Sequence, residues 1–227
     1  MLVTLNAIPG LGGLGKVFAG EQAVQLPAPA TDLPKQGAKG PQVAVIAGGC
    51  FWGVQGVYQH TKGVLNAVSG YAGGEAGTAH YEMVGSGRTG HAEAVEITYD
   101  PAQISYGEIL RIFFSVAHDP TQLDRQGPDW GSQYRSHIYT TSAEQKKVAD
   151  AYISQLGGAH SFKDKIVTRV DPLKQFSPAE GYHQDYMTLN PNQPYIVFND
   201  LPKVANLRKM FPASFREKPV LVADNKK

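Results

Sequence analysis

Apolar residues recur along the chain with two different periods, and the changes of period mark the elements. Val43 to Ala47 is a short apolar run ending at Gly48-Gly49, which predicts a buried strand. Val54, Val57 and Tyr58 follow Cys50 at helical spacing, and that pattern stops near Gly63. Val64 to Tyr71 predicts a second strand. His91, Glu93, Val95, Ile97 and Tyr99 then share one face of a third, with Ala92, Ala94, Glu96, Thr98 and Asp100 on the other. Ser105-x-x-Glu108 is a capping box, followed by Ile109, Leu110, Phe113, Val116 and Ala117 at helical spacing. That helix ends before His118-Asp119-Pro120, where the proline disfavours helical backbone ahead of it. Tyr134 to Thr140 predicts a strand. Ser142-x-x-Gln145 opens a helix that stops at Gly157-Gly158. Lys165 to Val170 predicts a further strand, and Ser177-Pro178-Ala179-Glu180 the start of a capped helix. Residues 72–90 and 119–133 lack either period and are long enough to be functional loops.

From residue 42 the order is β-α-β-β-α-β, with extra elements after it. That is the order of an α+β, ferredoxin-like two-layer sandwich. Residues 1–41 differ. Pro9, Pro27, Pro29, Pro34, Pro41 and many glycines break any period, which predicts an irregular arm before a single catalytic domain at 42–227. Gly10 to Gly15 matches G-x-G-x-x-G, and with Lys16 most of a phosphate-binding loop. Val17 stands where that loop needs Ser or Thr, and a Pro-rich stretch replaces the required helix. As a signal peptide the segment lacks a basic start, and Gly, Pro and Lys16 interrupt its apolar stretch. A cytoplasmic protein is expected, or a periplasmic one if the segment does act as a signal.

Composition narrows the function. With 42% hydrophobic and 18% charged residues, the chain has material for a sizeable core and too little charge for a disordered tail. Lys and Arg total 21 against 20 Asp and Glu, so no basic excess recruits nucleic acid. No apolar run reaches the ~18 residues of a membrane span. The chain holds one cysteine, which excludes an internal disulfide and a Cys-rich metal site.

Cys50 follows a strand and two glycines and starts a helix. It is either a small buried hydrophobe or a reactive thiol, whose thiolate a helix N-terminus favours. Phe51 and Trp52 are either core aromatics or the wall of a site. Glu93 shares its face with Val95 and Ile97. It is either a desolvated acid with a raised pKa, able to donate a proton near neutrality, or a strand-end carboxylate that reaches water. None of the seven histidines has a recognisable hydrolase context. His91-Ala92-Glu93 lacks the downstream Cys pair of a zinc deaminase.

Gly49-Cys50-Phe51-Trp52-Gly53 resembles the signature of the A-type peptide-methionine sulfoxide reductases. Ser69 to Gly74, Tyr81-Glu82-x-Val84, Gly90 to Val95, His118-Asp119-Pro120, Gln126 to Ser136 and Tyr182-His183-Gln184-x-Tyr186 resemble further family motifs, in family order, over roughly residues 42 to 190. The resemblance implies reduction of the S epimer of methionine sulfoxide, free or in proteins, and repair of oxidised proteins. It places the nucleophile at Cys50, the acid at Glu93, the sulfoxide-binding hydroxyls at Tyr81 and Tyr134, the methyl-binding wall at Phe51 and Trp52, and a loop acid at Asp129. Many members carry resolving cysteines in the C-terminal tail, and this chain has none from Met187 to Lys227. Its sulfenic acid must be cleared by an external thiol: thioredoxin, glutaredoxin or glutathione. No cofactor, metal, nucleic acid or membrane is expected, and a monomer is. Trp130 adds a stacking wall or caps its loop. A Cys-dependent hydrolase or transferase using His118 or His183, and a module that only binds methionine-containing peptides, are the competing readings.

Overall fold

The computed structural model describes residues 23–35 and 40–223. The phosphate-loop-like and signal-like segment at 10–19 lies outside them. The elements that position the site are β1 (Gln42–Gly48), α1 (Phe51–Gln59), β2 (Val64–Ala72), α2 (Tyr81–Val84), β3 (Ala92–Tyr99) and α3 (Tyr106–Ile112). They continue with β4 (Arg125–Gln126), β5 (Asp129–Trp130), β6 (Ser136–Thr140), α4 (Ala143–Gly158), β7 (Arg169–Pro172), β8 (Phe176–Pro178), α5 (Tyr186–Leu189) and α6 (Leu201–Met210).

Six strands form one sheet in the order β7-β6-β1-β3-β2-β8, while β4 and β5 make a separate hairpin. Only the β6–β7 pair is parallel. Alternation decides what each strand buries. Ala44, Ile46, Ala67, Tyr71, Val95, Ile97 and Ile138 face the helices in the main core. The opposite face carries a thinner apolar layer built on Val45, Ala47, Ala92, Ala94 and Tyr139. The protein is thus a mixed α+β fold. α1 lies across β1, β2 and β3, and α4 against β6, β7 and α3. Among the described residues, no helix is long and apolar enough to cross a membrane.

The capping box forms as expected. Ser105 Oγ accepts from the Glu108 N–H at 3.1 Å, and Glu108 accepts from the Ser105 N–H at 2.8 Å. Residues 23–35 hold neither helix nor strand, yet they dock firmly. Leu26 is 1% exposed in the core, and Asp32 accepts from the Ser105 hydroxyl and the Gly107 N–H at the start of α3.

Two expectations need correction. The strand expected at 165–170 begins at Arg169, because Val167 bonds to the Pro120 carbonyl instead of to β6. The capped helix expected at Ser177 is the edge strand β8 followed by a single 3-10 turn, Gly181–His183. Glu180 does not cap a helix there. It accepts from the Tyr71 hydroxyl and the Tyr81 N–H, tying that segment to β2 and α2.

Candidate active site

The site gathers where β1 hands over to α1. Gly49 turns the chain at φ +88°, and a Cβ there would sit 2.5 Å from Gln126 Cγ, so only glycine fits. Cys50 then occupies the N-cap of α1 with its side chain 9% exposed. β3 runs beside β1 and β2, with Glu93 opposite Tyr71, and this register delivers the Glu93 carboxyl to the same turn. Glu93 Oε2 accepts from the Phe51 N–H at 3.0 Å, which leaves Oε1 to hold the acid's proton. Burial pushes this carboxyl up to about 8, and the nearby Asp129 and Asp200 charges add to that against the Phe51 hydrogen bond. At neutral pH it is a carboxylic acid.

The sulfur behaves differently from the sequence expectation. The Trp52 N–H does favour its thiolate. Desolvation and the charges of Glu93, Asp200 and Asp129 outweigh that and push the Cys50 thiol well above its ordinary value. The field of the α1 N-terminus is outweighed by carboxyl groups arriving from three other segments. The resting state pairs a thiol with a neutral Glu93.

Two tyrosines complete this group. Tyr81, on α2, has its hydroxyl pushed up by burial, Glu93 and Cys50. Tyr134, in the 3-10 turn Ser132–Tyr134, is pushed up by burial, Glu93, Asp129 and Cys50. Both remain O–H donors at neutral pH. Arg135 anchors the loop behind Tyr134. Its guanidinium donates to the carbonyls of Ser132, Gly90 and His91, the Tyr139 hydroxyl and His137 Nδ1.

Aromatic rings wall the other side. Trp52 stacks on Tyr186 at 3.9 Å, meets Tyr195 edge-on at 6.0 Å and donates from Nε1 to His183 Nδ1 at 3.2 Å. Phe51 sits beneath, fully buried against Tyr71 and His183. Phe51 is therefore core as well as floor, and Trp52 is the half-exposed wall. Asp129 accepts a hydrogen bond from the Tyr195 hydroxyl. Trp130, next in the hairpin, is 70% exposed, and its ring packs on the hairpin's own Arg125 at 4.4 Å.

Tyr195 and Asp200 carry no sequence signal, because both lie beyond the last motif, which ends at Tyr186. Tyr186 stands in that motif without a role, and His183 only as a partner of Cys50 in the competing hydrolase or transferase reading. His118 is not a base for Cys50. Its Nδ1 meets the Phe113 carbonyl at 3.1 Å and its Nε2 the Ser136 hydroxyl at 2.7 Å, and burial pushes it down to about 3.

A family description, peptide methionine sulfoxide reductase, matches residues 42–214. The chain belongs to the peptide methionine sulfoxide reductase family. It is 60% identical over 190 residues to peptide methionine sulfoxide reductase MsrA 2 of Mesorhizobium japonicum, covering 84% of this chain and 97% of that one. It is 52% identical over 174 residues to MsrA 2 of Synechocystis, covering 77% and 81%. Its fold is similar to methionine sulfoxide reductase A of Corynebacterium diphtheriae, with a TM-score of 0.59, 33% identity and coverage of 78% and 89%. It is also similar to reduced Mxr1 of Saccharomyces cerevisiae, with a TM-score of 0.61, 32% identity and coverage of 68% and 88%. The chain is an oxidoreductase acting on methionine sulfoxide in protein repair, which sets aside the hydrolase and the binding module.

Proposed function

We propose that the chain reduces methionine-S-sulfoxide, free or in oxidised proteins, through a sulfenic acid on Cys50 that an external thiol clears. The observation that carries this is the meeting of Cys50 with a neutral, buried Glu93 on one α1 turn. The Cys50 sulfur attacks the sulfoxide sulfur and gives up its proton. Negative charge grows on the sulfoxide oxygen, which leaves sulfur poorly unless protonated. Glu93 gives its proton to that oxygen and takes up the one Cys50 releases, while the Tyr81 and Tyr134 hydroxyls hold the oxygen. The protonated oxygen passes to the Cys50 sulfur as the bond between the two sulfurs breaks, so Cys50 ends as a sulfenic acid and methionine sulfur keeps the electron pair. Two thiols of the reductant then return Cys50 to a thiol, releasing water and a disulfide.

The aromatic box seats the S-methyl group, whose burial contributes ~0.8 kcal/mol. With the oxygen fixed by Glu93 and the tyrosines, and the methyl by Trp52 over Phe51, only one epimer presents its sulfur to Cys50. Asp129 acts through Tyr195, holding the box in shape. The single cysteine requires an external reductant, and a cytoplasm with thioredoxin, glutaredoxin and glutathione fits that need. The inner strand order β6-β1-β3-β2 supports reading the scaffold as a ferredoxin-like sandwich.

The test is turnover of methionine-S-sulfoxide with dithiothreitol, run on the wild type and Cys50→Ser. Activity on the S epimer alone, abolished in Cys50→Ser, is expected. Equal activity on the R epimer, or turnover surviving in Cys50→Ser, refutes the reading.

A further inference from the structure

A third carboxyl group lies beside Cys50, and the catalytic steps do not use it. Asp200 closes the turn Ile196–Asp200 and precedes α6. It is 0% exposed. Its side chain does not cap α6 and instead reaches the first turn of α1, where a Cβ on Gly53 would lie 2.1 Å from Asp200 Oδ1. Gly53 is thus the opening that admits the carboxyl to that helix end. Neither Asp200 oxygen has a hydrogen-bond partner. Its compensation is an ion pair, with Lys203 Nζ 3.7 Å from Oδ1. A buried carboxylate without hydrogen bonds is costly to keep, and residues placed only for stability do better as apolar groups.

The N-terminus of a helix favours negative charge, and α1 has two claimants for it: the Asp200 carboxylate and a Cys50 thiolate. We propose that Asp200, held by Lys203, is a positioning residue for Cys50: it takes the anionic place at the start of α1 and keeps the sulfur a thiol until a sulfoxide is bound. The groups facing this pair are Asp129 from β5, Glu93 from β3, Cys50 itself and the Tyr195 hydroxyl, while His118 faces Lys203. Lys203 offsets Asp200 and Asp129, the Phe51 N–H offsets Glu93, and the Tyr195 hydroxyl offsets Asp129. The consequence is protection. Peroxides and alkylating agents react with thiolate, so a resting thiol spares the chain's single cysteine from oxidation that no second cysteine could intercept.

This inference rests on Cys50 being the nucleophile, but its test needs no sulfoxide. Cys50 is the only alkylation site, so its reaction with iodoacetamide across pH reads the sulfur directly. Asp200→Asn and Asp200→Ser should each lower the pH midpoint of alkylation. They should speed the reaction at neutral pH about tenfold, the effect of a one-unit fall in a thiol's pKa. An unchanged midpoint in either variant, with native circular dichroism, overturns the proposal. The wild type gives an independent reading by NMR. The Gly53 amide should titrate with a midpoint at about 6, where burial raises Asp200 against the Lys203 charge. A Gly53 amide that stays flat across that range also overturns it. Normal turnover on methionine sulfoxide beside unshifted alkylation sinks this proposal alone, and absent turnover beside shifted alkylation sinks only the proposed function.

Discussion

Glu93→Gln keeps the shape of the side chain and removes its titration. In the fold, burial holds this carboxyl at about 8 against its ordinary 4.5. Between those values the native state binds a proton that the unfolded chain has released. Stability therefore falls as pH rises through this window, by ~1.4 kcal/mol per pH unit and ~5 kcal/mol in all. Other groups mask this at lower pH. His60, His118, His137 and His183 are held below their ordinary 6.5 and act with the opposite sign, and Asp200 titrates at about 6. Between pH ~7 and ~8 those histidines still release ~0.2 proton each from the unfolded chain, ~0.6 kcal/mol of the opposite sign in all, so Glu93 is read as the difference between wild type and variant. With half of Glu93 ionised at pH ~8, the wild type should lose ~1 kcal/mol of unfolding free energy relative to Glu93→Gln between pH ~7 and ~8. Urea denaturation at the two pH values measures this. Glu93→Gln should lack that loss over the same interval and, as a mimic of the neutral acid, should exceed the wild type in stability throughout it. Its turnover should fall ~100-fold or more, since Gln has no proton to give. Equal pH slopes in the two proteins would refute the assignment of a neutral buried acid.

Other expectations follow from single contacts. Arg135→Lys cannot reproduce a guanidinium bonded to three carbonyls, a hydroxyl and an imidazole, so it should cost ~2–3 kcal/mol in a urea melt and loosen the Tyr134 loop, lowering kcat/KM. Leu26→Ala empties a core position filled from the arm and should cost ~2–4 kcal/mol in the same assay without changing KM for sulfoxide. Tyr195→Phe frees Asp129 and should raise KM about tenfold, with a smaller effect on kcat; a kcat loss alone would show that Tyr195 acts on the chemical step.

Local patterns carried far in this chain. The alternation of 91–99 gave both a strand and the inward face of Glu93, and the Ser105/Glu108 box gave a helix start. What failed depended on distant partners. Ser177-Pro178-Ala179-Glu180 imitates a helix cap, but the free edge of β2 recruits it as a strand. α2 is four residues long, too short for a period to show. Cys50 was legible from its Gly-Gly turn, whereas its protonation state was not, because Glu93, Asp129 and Asp200 approach it from separate segments. Tyr195 meets its partner Asp129 across 66 positions, a separation that no spacing rule encodes.

The central claim is that Cys50 itself takes the sulfoxide oxygen and cannot complete the cycle alone. Single turnover without reductant, followed by intact-protein mass spectrometry and quantification of methionine, tests it most directly. One methionine per chain, a Cys50 carrying one added oxygen and no further product until a thiol is added is the expected result. Methionine released beyond one equivalent, or formed while Cys50 stays unmodified, would contradict the account.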